Sequence, residues 1–395
     1  MADGNHGAQS LERWMATKNQ RVDARLLHLF SGPSDKGDPT TLAYQVLNKG
    51  LERKLNIRVD EYDWIDCHCS EPGRTCHPAP HEPWRTRCYN LLRDEVFDQL
   101  LAYCRQGKYA AVVAGIPCHT FCVARYKEDN GAKALRDKRH PFGLPHLSER
   151  DRAVVAEANE LTRRALVLCA AVWERGGEVL LENPPDYSAF GLWCTSQQTG
   201  ERQEKYFTEG QERHCPLWAL PWVQAFIEAT QARMLHFAQC QFSADFQKYT
   251  TLLVTQRWIM AAGKALSAFD NNPCRCMGKH RLQATGRDEQ GNYLSARAAK
   301  YPTEMVIKIA QALLDLLAAN LPPPSFAVMI GASTVQLPPV DLDSRQAEVI
   351  RLLYNPQLLS IGARLACSAR TAGVPLHKGQ TTLDKVFCVS THTGR

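Results

Sequence analysis

Apolar positions along the chain switch between two spacings, one of two residues or continuous runs and one of three to four. "RLLHLF" (25–30) is a short apolar run halted by Ser31-Gly32-Pro33, which predicts a strand entering a turn. "TTLAYQVLNKGLERKL" (40–55) predicts a helix, and "NIRVDEYDW" (56–64) a second strand ending in acidic residues. In "LLRDEVFDQLLAYCRQGK" (91–108), Leu92, Val96, Leu100 and Tyr103 share one helical face, and "YAAVVAGIP" (109–117) follows as a strand. The clearest helix starts behind Ser148, a good N-cap residue. Val154, Ala158, Leu161, Ala165, Leu168 and Val172 then form one stripe. Gly176-Gly177 ends it, and "EVLLENPP" (178–185) is a strand closed by two prolines. A helix near 220–232, a hairpin-like pair around 234–258 and a helix over 303–319 complete the pattern. "LPPPS" (321–325) marks a boundary.

Strands alternating with helices predict an α/β fold with a mostly parallel sheet flanked by helices and a hairpin near its end. In such sheets the ligand sits beyond the carboxyl ends of the strands. Three polar segments fall there: "SGPSD" (31–35), "PCH" (117–119) and "ENPP" (182–185). Their convergence on one rim sets Cys118 apart from an ordinary buried thiol.

The chain has 395 residues, 44% of them hydrophobic, which suits one large domain or two ordinary ones. Its 15 cysteines are an odd number at irregular spacing. With no apolar leader in "MADGNHGAQSLERW", they predict a reducing, intracellular setting, nuclear or cytoplasmic, and thiols rather than disulfides. No apolar run reaches the length of a membrane span. The net charge of +6 permits a polyanionic partner. Residues 1–24 read as a polar extension, and 321–395 as a tail of unassigned role.

The ordered segments resemble the cytosine-5-specific DNA methyltransferase family. "LHLFSGPSD" is similar to that family's cofactor motif, "GIPCHTFC" to its Pro-Cys-Gln nucleophile motif, and "LLENPP" to its Glu-Asn-Val motif. "FQKYTTLLV" (246–254) stands where the family has Gln-x-Arg-x-Arg, and "KYPTEMVIKIAQALL" has the character of its closing helix. The resemblance spans about residues 25–320 and extends to methyltransferase-like domains carried by mobile genetic elements. It implies a Rossmann-like methyltransferase fold, S-adenosylmethionine as methyl donor, and DNA as partner, either single-stranded or a duplex with the base flipped out. Cys118 would be the nucleophile adding to carbon 6 of cytosine, fixed behind Pro117. Glu182 would bind or protonate ring nitrogen 3. Gln247 takes the first position of the Gln-x-Arg-x-Arg pattern.

On the cofactor side the resemblance implies Phe30, Ser31 and Gly32 beside the methionine moiety, Asp60 or Glu61 on the ribose hydroxyls and Asn90 at the adenine. Several positions depart from the pattern. Ser34 replaces the second glycine of the cofactor loop, and His28 the acidic residue before Leu-Phe. His119 follows the nucleophile in place of glutamine, with Cys122 in place of a serine. Tyr249 and Thr251 take the positions of both arginines. Residues 258–297 leave a reduced target-recognition segment, which predicts loose sequence preference carried by phosphate contacts. The mixed-charge run from Arg125 to Arg152 would close on that backbone.

The insertion over 67–88 brings zinc-competent residues, among them Cys67, Cys69, Cys76 and His77, and "CRCMGKH" adds Cys274, Cys276 and His280. Two other readings stand beside the cytosine one. Asn183-Pro184-Pro185-Asp186-Tyr187 is close to the Asn/Asp-Pro-Pro-aromatic pattern with which amino-methyltransferases hold an exocyclic amine. A degenerate domain that only binds nucleic acid would fit the missing arginines.

Overall fold

A run of β-strands with helices threaded between them builds the centre of the molecule. The computed structural model describes residues 23–31, 40–53, 55–62, 90–126, 133–187, 193–195, 202–204, 213–276, 280–282, 289 and 300–320. Its elements are β1 (Asp23–Leu29), α1 (Leu42–Glu52), β2 (Asn56–Tyr62), α2 (Asp94–Arg105), β3 (Ala111–Gly115), α3 (Glu149–Glu174) and β4 (Glu178–Asn183). There follow a small antiparallel pair, β5 (Trp193–Thr195) and β6 (Arg202–Glu204), then α4 (Pro221–Thr230), β7 (Arg233–Ala238), β8 (Tyr249–Val254), α5 (Gln256–Leu266) and α6 (Thr303–Asn320).

The main sheet has six strands in the order β2-β1-β3-β4-β8-β7. β1 to β4 run parallel, and the expected hairpin of β7 and β8 joins antiparallel to β4. The strand order reverses between β1 and β3, which makes a crevice at their carboxyl ends. Because β8 is antiparallel, its first residues lie on that same rim, together with the end of β7.

Both faces of the sheet are covered, so the strands carry apolar residues on both sides. Leu27, Leu29, Val112, Ala114, Val179 and Leu181 pack with α2, α3 and α4. Their neighbours Leu26, Ala111, Val113, Leu180, Leu252 and Val254 pack with α1, α5 and α6. That strict alternation follows from the two-residue side-chain period of a strand.

α3 is capped as expected, with the Ser148 hydroxyl accepting the Asp151 N–H at 3.1 Å. At its end Gly176 adopts φ 84°, and a side chain on Gly177 would stand 2.8 Å from the Tyr109 carbonyl. The apolar stripe of α3 is broader than predicted. From Ala165 to Trp173 every residue is buried, because that half lies between the sheet, α2 and α4. α5 was not anticipated. It brings Trp258, Ala262 and Leu266 into the second core layer, so the start of the expected recognition segment is core rather than binding surface. Among the described residues, no helix is long and apolar enough to cross a membrane.

Candidate active site and metal-ligating cluster

β3 delivers Ile116 and Pro117, both buried, and then Cys118, which is half-buried. The backbone here is held from two sides. The Asn183 side-chain amide, one residue past Glu182, donates to the Ile116 carbonyl at 2.6 Å. Beyond the thiol, the Phe121 N–H donates to the Cys118 carbonyl at 2.9 Å. Arg136 is fully buried and donates to Thr120 Oγ1 (2.9 Å), the Pro141 carbonyl (2.7 Å) and Asn159 Oδ1 (3.0 Å). Its guanidinium lies 4.1 Å from the centroid of Phe121. Arg125 donates to the carbonyls of His119 (2.5 Å) and Lys133 (2.9 Å). Two cations of the run expected to meet phosphate therefore shape the nucleophile loop itself.

Glu182 is buried at the end of β4, in register with Gly115. Its Oε2 accepts the Tyr301 O–H at 2.5 Å, while its Oε1 is buried with no hydrogen-bond partner among the described residues. Gly115 makes room for this contact: a Cβ there would stand 2.6 Å from the Tyr301 oxygen. Lys248 approaches from β8, its Nζ 5.8 Å from the centroid of the Tyr301 ring. Burial pushes the Cys118 thiol up to about 11; the Lys248 ammonium opposes that shift, and Cys122 and Glu182 reinforce it. Burial, then Glu182 and Cys118, push the Tyr301 phenol well above its ordinary value. Cys118, Glu182, Tyr301 and Lys248 thus occupy one electrostatic neighbourhood on the rim.

The residues expected around the cofactor divide. Phe30, buried at the end of β1, takes the left-handed φ of 60°, and its N–H donates to the Tyr62 carbonyl at 2.7 Å. Ser31 follows half-buried at the crevice, and Gly32 lies outside the described residues. Asp60 is used by the protein itself. Its Oδ2 accepts from Arg25 Nε and from the Tyr109 hydroxyl, each at 2.7 Å, because at its place inside β2 the side chain meets β1 and the start of β3. Glu61 points to the opposite face, 3.5 Å from His28 Nδ1. Asn90 holds a turn, its Oδ1 accepting the Leu92 N–H at 2.8 Å. Of the residues expected at the methionine end, Phe30 already spends its N–H on the Tyr62 carbonyl, and Ser31 is half-buried. At the ribose and adenine end, Asp60 and Asn90 are withdrawn from the expected set.

From "FQKYTTLLV" the residue that acts on Cys118 is Lys248, which the motif register passes over by one place. Gln247 hydrogen-bonds Tyr249, and Thr251 is paired with His236 at 2.8 Å. Tyr301, which no motif singled out, stands just ahead of α6; its only trace in the sequence is an aromatic directly before a helix-opening proline. Tyr187 is buried with its ring edge-on to His214 (6.0 Å) and to Tyr249 (6.5 Å). This aromatic of the amino-methyltransferase pattern is thus packed among other rings.

Further along the rim, Cys240 after β7 meets Cys274, Cys276 and His280. Their ligand atoms all lie within 4.8 Å of one another, a cluster able to hold a metal ion. "CRCMGKH" supplies three of the four. Cys240, distant in sequence, was missed because only the β7–β8 turn brings it there. Cys67, Cys69, Cys76 and His77 lie outside the described residues. Compared with known proteins, the chain matches no family model and no curated sequence.

Proposed function

We propose that the chain methylates carbon 5 of cytosine in DNA through a covalent adduct on Cys118. The observation that carries this reading is the Glu182 Oε1 atom, buried without a partner beside a half-buried thiol at the crevice of an α/β sheet. A buried carboxyl oxygen left unpaired is costly, and a ligand that pairs with it recovers that cost. The ring nitrogen and exocyclic amine of cytosine are such a ligand. The parallel strands with an antiparallel hairpin accord with a Rossmann-like methyltransferase fold.

The thiolate of Cys118 adds to carbon 6, and the electron pair of the C5–C6 double bond moves toward carbon 5. Protonated Glu182 donates to nitrogen 3, which takes up the charge that develops in the ring. Lys248 stabilises the thiolate. S-adenosylmethionine, when bound, supplies the methyl group. A solvent water takes the carbon-5 proton, and the electron pair it leaves re-forms the C5–C6 double bond as the sulfur–C6 bond breaks to return the thiolate. The proton lent to nitrogen 3 goes back to Glu182.

The test is a single-stranded oligonucleotide containing 5-fluorocytosine, incubated with the protein and S-adenosylmethionine and analysed by denaturing mass spectrometry. Fluorine cannot leave as the proton does, so the adduct should persist on the peptide carrying Cys118. Oligonucleotide binding without adduct or methyl incorporation would replace this reading with a domain that only binds nucleic acid.

A further inference from the structure

We propose that Cys240, Cys274, Cys276 and His280 form a structural zinc site that fastens the segment from Asn272 to Leu282 onto the edge of the sheet. The proposal is independent of methyl transfer.

The spacing of the ligand atoms suits a tetrahedral centre. With zinc–sulfur bonds of about 2.3 Å and a zinc–nitrogen bond of about 2.0 Å, adjacent sulfurs stand about 3.8 Å apart and sulfur to nitrogen about 3.5 Å. The four ligand atoms lie within 4.8 Å of one another, and Cys274 Sγ is 3.5 Å from His280 Nε2. Three thiolates and one imidazole are a soft donor set suited to zinc. Four protein ligands close the coordination sphere and leave no position for a substrate, which makes the site structural.

The surroundings give the metal a task. The segment joins β7 by an isolated parallel bridge, with the Ala238 N–H donating to the Asn272 carbonyl at 2.9 Å and the Asn272 N–H to the His236 carbonyl at 3.0 Å. It then bends into a small apolar cluster of Tyr187, Ala238, Tyr249 and Cys274, separate from both main core layers. So little buried surface is weak support for a bent segment, and a metal supplies the missing constraint. The site also touches the start of β8. The Cys274 N–H donates to the Tyr249 hydroxyl at 3.3 Å, and the Gln239 N–H, next to Cys240, donates to the Lys248 carbonyl at 2.8 Å. Metal binding would therefore steady the backbone that presents Lys248 to Cys118.

Elemental analysis of the full chain, purified without chelator, should find about one equivalent of zinc in excess of any bound by residues 67–88. Cys240→Ser and Cys276→Ser should each lose that equivalent, while Cys67→Ser with Cys69→Ser should keep it. Cobalt substituted for zinc should give the intense visible bands of a tetrahedral thiolate site. Should either variant fail to fold, titration of native thiols on the unaltered chain decides: chelation should expose three further reactive cysteines, identified by peptide mapping as Cys240, Cys274 and Cys276. The proposal is overturned by folded protein with under a tenth of an equivalent of zinc, or by metal that survives Cys240→Ser and leaves with Cys67 and Cys69. A disulfide within the trio, seen as a two-dalton mass deficit before reduction, would overturn it equally.

Discussion

Among the described residues, sulfur gathers at two places on the carboxyl rim of the sheet, and the two differ in company. At the end of β3, Cys118 faces a cation, a carboxyl and a phenol. At the end of β7, Cys240 meets two more thiols and an imidazole. A thiol next to groups that can move protons is equipped for bond making, because its charge can be created when a substrate arrives. Three thiols and an imidazole with all their ligand atoms within 4.8 Å of one another are instead a donor set for a metal. On the two proposals, the same residue type would take opposite roles on one edge, and the neighbours would decide which.

The sharpest way to break this contrast is Cys118→Ser. A hydroxyl is a far weaker nucleophile at neutral pH, so adduct formation and methyl transfer should fall at least about a hundredfold while the thermal midpoint barely moves. Retention of activity would make Cys118 an ordinary core thiol. Next is the pH dependence of iodoacetamide labelling. With the Cys118 thiol pushed up to about 11, the thiolate fraction should rise about tenfold per pH unit through neutrality and level off near that value. Lys248→Met removes the cation that opposes this shift, so labelling at pH 8 should slow by about threefold to tenfold. The metal-bound thiols should stay unlabelled throughout. Tyr301→Phe deletes the donor to Glu182 Oε2 and leaves a buried carboxyl short of both partners. We expect a loss of about 1–2 kcal/mol, read from urea unfolding. The smallest effect should come from Cys122→Ser. It removes a neighbour that raises the Cys118 thiol, so labelling should speed up by no more than about twofold.

How much of this was legible beforehand follows from the range of each interaction. Strands and helices up to β4 were readable because apolar spacing is local, as at Val96 and Leu100, and because Ser148 and Gly176-Gly177 punctuate α3, although α2 begins at Asp94 and leaves Leu92 ahead of it. The placing of Cys118 and Glu182 on one rim followed from the strand–helix alternation alone. What escaped were residues defined by tertiary partners. Tyr301 reaches Glu182 across 119 positions, and Arg136 looks like a surface cation until Thr120, Pro141 and Asn159 surround it. Asp60 looked available for a ribose because only the sheet register reveals Arg25 and Tyr109 at its carboxylate. α5 was missed because its apolar residues were assigned to a recognition loop, and only the second core layer explains them.

The last helix has a consequence for how such a chain is made. α6 packs on α1 and α5; the Trp258 indole donates to the Ala312 carbonyl at 3.0 Å, and Arg53 pairs with Asp315 at 2.8 Å. One face of β1, made well before α6, is therefore fully roofed only once residues past 300 have been synthesised. Contacts of such long sequence separation are slow to form, since each must first close a large loop. Until then an apolar sheet face is open to solvent and to other nascent chains, so the growing polypeptide should lean on chaperones that bind extended apolar segments.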